Sequence, residues 1–145
     1  SPPLRTENDR KALIDGIKND LIDVIVSDHL PEDEESKRLP FAQAAQGAIG
    51  VETLLPLALE LYHNKNLPLK KIIEVLTINP SKILKINKGT LKKGSTADFC
   101  IFDLNKPWVV KGEKLRSKSK NTAMENRRLQ GKVLMTFLNG ELVFN

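Results

Sequence analysis

One cysteine and two histidines are all that 145 residues supply of thiol and imidazole side chains. A single thiol excludes an internal disulfide, and Cys100 lies inside the apolar run FCIF, where a buried, inert thiol in a reducing, cytoplasmic setting is expected. Aromatic residues make up only 5% of the chain, too few and too irregular for a base-stacking platform. The net charge of +5 and pI near 9.4 invite a nucleic-acid reading, but the lysines are spread from Lys11 to Lys132. Only RSKSKNTAMENRR concentrates them, without interleaved aromatics, so no nucleic-acid partner is expected. No run of about 18 apolar residues is present, and no membrane span is expected. The start, SPPLRTEND, carries neither a basic-then-apolar leader nor an initiator Met, and the chain reads as cut from something longer. With 40% hydrophobic residues it can bury one ordinary core, yet it falls far short of a whole eight-stranded barrel.

Thr6 and Asp9 form a variant capping box, and Ala12, Leu13 and Ile17 then fall on one side of a helix running to about Asn19. The β-branched run LIDVIVS, residues 21–27, predicts a strand covered on both faces, as in a parallel sheet. Residues 30–50 lack a sustained period and read as a long functional loop. Helical spacing returns over 51–63; Pro68 opens a second helix in its first turn, and Asn79-Pro80 starts a short third one through Leu84. After Gly89 short apolar runs take over: TADFCIFDL, then PWVV, then GKVLMTFLNGELVF with Asn139-Gly140 as a hairpin turn. The expected fold class is α/β. Residues 1–88 would be the C-terminal end of a TIM-type (β/α)8 barrel, its last strand, active-site loop and helices, and 89–145 part of a small β-sandwich.

Loops at the C-terminal ends of barrel strands converge on a common mouth, and Asp28 ends the expected strand there. A carboxylate so placed can ligate a metal and carry a proton for hydrolysis. His29 beside it is a candidate ligand or orienting group. Read alone, Ser27-Asp28-His29 is also what a turn or a helix N-cap looks like. His63, at the end of a helix, reads as a dipole partner and is assigned no function.

Several blocks in order resemble the class I dihydroorotases of the amidohydrolase superfamily over essentially the whole length. PPLRTENDRKALIDGI and IDVIVSDH are similar to the segment before and within the eighth barrel strand. KRLPFAQAAQGAIGVETLLPL resembles the substrate loop and following helix, and NPSKIL the next helix. GTLKKGSTADFCIFD, SKSKNT and LQGKV resemble the returning β-sandwich blocks. The resemblance implies zinc-dependent, reversible cyclisation of N-carbamoyl-L-aspartate to L-dihydroorotate in pyrimidine synthesis. It places Asp28 as the aspartate that touches metal and shuttles the proton, and puts Ser1, Glu32, Gln46 and Gly47 at substrate-binding positions.

Departures fall on those positions. The family's Asp-His-Ala-Pro-His puts a second His where this chain has Glu32, which would repel a substrate carboxylate unless turned away or protonated. Ser1 stands for Asn before Pro-Pro, Ala45-Gln46-Gly47 for Pro-Phe-Gly, and Ala123-Met124 for the Pro-Phe that follows Asn-Thr. No His-x-His or bridging lysine is present, so zinc would be held mostly by residues absent from this chain, which alone should be inactive. A noncatalytic dihydroorotase-like subunit supporting aspartate transcarbamoylase is the alternative, and a hydantoinase is disfavoured by SKSKNT. A partial barrel exposes apolar faces, so a homo-oligomer or an N-terminal partner fragment is expected.

Overall fold

A computed structural model describes residues 5–145. Helices come first: α1 (Glu7–Lys18), α2 (Glu34–Arg38), α3 (Val51–His63), α4 (Leu69–Leu76) and α5 (Ile78–Ile83). Three strands follow, β1 (Phe99–Val109), β2 (Arg128–Leu138) and β3 (Glu141–Phe144), with a 3-10 turn at Gly112–Lys114 between the first two. They form one antiparallel sheet in the order β1-β2-β3.

The capping box forms as expected: Asp9 N–H donates to Thr6 Oγ1 at 3.3 Å and Thr6 N–H to Asp9 Oδ2 at 3.0 Å. Its core-facing side differs, however. Ile14 and Ile17 point inward while Leu13 is 58% exposed, because the helix rests on the core along one narrow line. Residues 21–27 are not a strand in this structure. A strand exists only by its ladder, and the backbone bonds this segment makes among the described residues are to helices: Leu21 and Ile22 N–H to Gly16 O at 2.8 and 3.1 Å and Ile25 N–H to Val75 O at 3.2 Å, while Ile22 and Ile25 pack on the helical core.

The loop expected over 30–50 contains α2, capped by Asp33, whose side chain accepts from Ser36 N–H at 2.8 Å. That bond holds the Asp33 carboxyl below its ordinary range. Pro68 is the N-cap of α4 rather than a residue of its first turn. The runs FCIF and PWVV join into one strand instead of two. Asp103 Oδ1 takes the N–H groups of Asn105 (2.8 Å) and Lys106 (3.0 Å), absorbing the irregularity before Pro107, which has no N–H to offer. Cys100 is exposed, not buried, since nothing among the described residues covers that face of β1, although partial desolvation raises its thiol pKa.

Two cores result. One gathers Ile17, Ala58, Leu59, Leu67, Ile72 and Val75; the other joins Ile49, Val110, Leu115 and Leu129 under Trp108 and Met124. Helix α3 serves both, through Ala58 and Leu59 on one side and Leu57 on the other. Gly131 of β2 lies beneath Leu59 at φ +104°, and a Cβ there would stand 2.5 Å from Leu59 Cδ1. Arg127 Nη2, just before β2, donates to both carboxylate oxygens of Glu60 at 2.8 and 2.7 Å. Asn139 and Gly140 take φ 51° and 84°, the positive pair that a tight two-residue hairpin needs.

Candidate functional site

Asp28 sits at φ 44°, a left-handed conformation that a non-glycine residue adopts only when its surroundings hold it there. The residues that follow it are tied down. His29 and Ala48 form an isolated parallel bridge, with Leu30 N–H donating to Ala48 O at 3.0 Å. His29 Nδ1 accepts from Gly50 N–H at 3.0 Å and Val51 N–H at 3.4 Å. Gly50 has no side chain to cap α3, so the imidazole satisfies first-turn N–H groups from outside the helix. An accepting Nδ1 places the ring proton on Nε2. His29 is therefore an orienting group here, tying the end of segment 21–29 to the helix that carries both cores.

The loop from residue 30 folds back over Asp28. Ser27, Asp28, Phe41, Ala45, Gln46 and Gly47 are among the residues lining a cleft of about 980 Å³, which Ala123 and Met124 close from the sheet side. Asp28 and Gln46 are exposed and half-buried Gly47 lies beside them. Gly47 takes φ +117°, and a Cβ on it would come 2.7 Å from Leu30 Cδ2, so glycine is required twice over.

The structure thus brings together three of the five expected site residues, Asp28, Gln46 and Gly47. Glu32 is elsewhere. It lines a separate cleft of about 630 Å³ with Asp33, Lys118 and Lys120, and its backbone carbonyl accepts from Ser119 Oγ at 2.6 Å. Lys37 lines both clefts. Ser1 lies outside the described residues.

Lys37, Ser119 and Asn121 were not singled out as site residues by the sequence. Lys37 Nζ donates to Ala45 O at 2.7 Å and Gly47 O at 2.9 Å. Asn121 Nδ2 donates to the same Gly47 O at 3.2 Å, and Asn121 O accepts from Ile49 N–H at 3.1 Å. The block SKSKNT was the one available signal, and it marked family likeness rather than a contact.

Among the described residues no group of three or more His, Cys, Asp and Glu is arranged to hold a metal ion. Asp28 can supply one ligand. A zinc site needs at least three from protein, so these residues alone do not fit one.

The Amidohydrolase family profile matches residues 2–143. This chain belongs to the amidohydrolase family. Curated relatives include the dihydroorotase of Ehrlichia chaffeensis, 47% identical over 99% of this chain and 32% of its own length. The dihydroorotase of Aquifex aeolicus is 46% identical over 99% of this chain and 34% of its own. Among solved structures, L-hydantoinase (dihydropyrimidinase) from Arthrobacter aurescens superposes with a TM-score of 0.92 at 33% identity, covering 100% of this chain and 34% of that one. The dihydropyrimidinase of Brevibacillus agri reaches 0.93 at 23% identity, over 100% and 33%, a likeness of fold alone. The α/β fold class expected from the sequence, the C-terminal portion of a barrel amidohydrolase, is that of these family members. The chain spans about a third of the length of the curated relatives it matches.

Proposed function

We propose that this chain is part of a dihydroorotase and that Asp28 carries the proton in the reversible conversion of L-dihydroorotate to N-carbamoyl-L-aspartate, a step of pyrimidine biosynthesis. The observation that supports it is the meeting of Asp28 with Gln46 and Gly47 in one cleft, in a chain 47% identical to one dihydroorotase and 33% identical to a hydantoinase. Hydrolysis adds water across the ring C–N bond: oxygen joins the carbonyl carbon, the bond breaks, and the leaving nitrogen takes a proton. A carboxylate beside that carbonyl accepts the proton from the attacking water and returns it to the nitrogen, worth about 10²–10⁴ in rate. The resemblance implies zinc as cofactor, with Asp28 as one ligand and the others on residues this chain does not contain.

In this reading the 145 residues alone are inactive and need an N-terminal partner segment or a second copy. The alternative, a noncatalytic dihydroorotase-like subunit supporting aspartate transcarbamoylase, draws on Glu32 and Ser1, which stand where the resemblance has a substrate-binding histidine and an asparagine, and on the missing barrel strands. Dihydroorotate hydrolysis by the longer protein and its Asp28→Asn variant decides between them. Loss of at least about 100-fold with unchanged circular dichroism supports the proposal. A folded parent protein with no activity, or a variant that keeps it, refutes it. Hydrolysis by the zinc-loaded 145-residue chain would overturn the fragment reading.

A further inference from the structure

Two backbone carbonyls two residues apart, in the loop that faces Asp28, are turned toward one ammonium group. Lys37 Nζ is within 2.7 Å of Ala45 O and 2.9 Å of Gly47 O, and forms no ion pair with a carboxylate among the described residues. Its charge is spent on the backbone. Such charge-assisted bonds are roughly twice as strong as neutral ones. Asn121 Nδ2 adds a second donor to Gly47 O, so that carbonyl is held from two directions, by α2 and by the segment leading into β2.

A trans peptide sets its C=O and N–H on opposite sides. Fixing the carbonyl of Ala45 on Lys37 therefore turns the N–H of Gln46 away from Lys37, and fixing that of Gly47 does the same for Ala48, which the bridge to His29 places beside Asp28. Among the described residues the N–H groups of Gln46 and Gly47 donate to nothing, although both residues line the Asp28 cleft. Unpaired donors next to a cleft are what a carbonyl- or carboxylate-bearing molecule needs.

We infer that Lys37 is a positioning residue: its ammonium, taken up by the Ala45 and Gly47 carbonyls, fixes the peptide that carries the Gln46 N–H and offers that donor to a bound carbonyl or carboxylate in the Asp28 cleft, which Lys37 also lines. Asn121 is its counterpart from the sheet side. The inference rests on the dihydroorotase reading for its kinetic test but not for its structural one.

The test uses the parent protein with Lys37→Ala, Lys37→Arg and Asn121→Ala. For Lys37→Ala, KM for dihydroorotate should rise at least about tenfold. The unfolding midpoint should stay within a few degrees, and added ethylammonium should recover part of the loss. Lys37→Arg should retain more affinity than Lys37→Ala, and Asn121→Ala should shift KM in the same direction by less. Unchanged KM, or kcat falling with the folded fraction and no response to ethylammonium, overturns the inference. Hydrogen exchange of the peptide spanning residues 44–49 is followed in the same proteins. It should quicken in Lys37→Ala whether or not dihydroorotate is the substrate, so an inactive parent protein refutes the functional reading while exchange still judges the clamp. Exchange equal to wild type refutes the clamp.

Discussion

Replacing Gly131 by alanine should loosen the joint between α3 and the sheet, and two costs can be worked out. A non-glycine residue at φ +104° carries about 1–3 kcal/mol of backbone strain. The new methyl would also stand 2.5 Å from Leu59 Cδ1, nearly an ångström inside ordinary contact, and Leu59 is fully buried, so overpacking adds about 1–3 kcal/mol. Allowing for partial relaxation, about 2–4 kcal/mol is expected, which corresponds to roughly 30- to 700-fold faster exchange of amides protected by that joint. Hydrogen–deuterium exchange of the peptide containing Val110, whose N–H donates to Arg127 O at 2.9 Å, gives the readout. Leu59→Ala alone should cost about 2–5 kcal/mol through the cavity it leaves. In the double variant the alanine methyl partly fills that cavity, so the combined effect should fall short of the sum by about 1 kcal/mol or more. Exchange within threefold of wild type for Gly131→Ala, or strict additivity with Leu59→Ala, would refute the reasoning.

Three further outcomes are expected. His29→Ala removes the acceptor of the Gly50 and Val51 N–H groups and should destabilise the first turn of α3 by about 1–2 kcal/mol; His29→Asn, whose Oδ1 approximates Nδ1, should recover most of it, and His29→Gln should not, as read by amide exchange at residues 50–54. The Asp98 carboxyl is held below its ordinary range, first by the Asn139 N–H at 2.7 Å and then by Lys88, so its contribution is complete above the unfolded value near 4 and is lost as pH falls through the lower folded value. The Asn139 amide resonance should therefore stay constant from pH 7 to 5 and move only below about pH 4; a transition above pH 5, or one that persists in Asp98→Asn, would contradict this. Thr6→Ala should cost α1 about 1 kcal/mol and expose the Asp9 amide to exchange, while Thr6→Ser should be nearly neutral.

Features encoded within a few residues were the ones legible in the sequence. The Thr6–Asp9 box and the Asn139-Gly140 turn each depend on side chains no more than three positions apart, and both formed as read. In α2, Asp33 and Ser36 carry the same kind of local signal, but five residues are too few to show a period beside the Pro, Ala and Gly that follow. Strand character in LIDVIVS was a statement about neighbours. Ile22 and Ile25 do pack inward, but Val26 is exposed, and a ladder needs a second strand that the described residues do not provide. Cys100 failed for a related reason, since apolar neighbours in sequence do not ensure that anything lies over a strand's outer face. At the site, Asp28 and His29 were suggested by their place after LIDVIVS and the Gln46-Gly47 turn by likeness alone, whereas the backbone groups that Lys37 and His29 hold lie 8 to 22 positions away, which no periodicity announces. Asn121 reaches across 74 positions to Gly47.

That long reach bears on how such proteins can be recombined. The helices before Gly89 and the sheet after it suggest a natural crossover point for building hybrids between relatives. Yet Asn121 and Ser119 belong to the sheet half and grip Gly47 and Glu32 of the other. A hybrid joined at residue 89 would inherit the loop over residues 30–50 from one parent and the fasteners of that loop from another. Hybrids whose donors share Ser119 and Asn121 should keep the loop in place, and those whose donors differ there should need both residues grafted back before the cleft regains its shape.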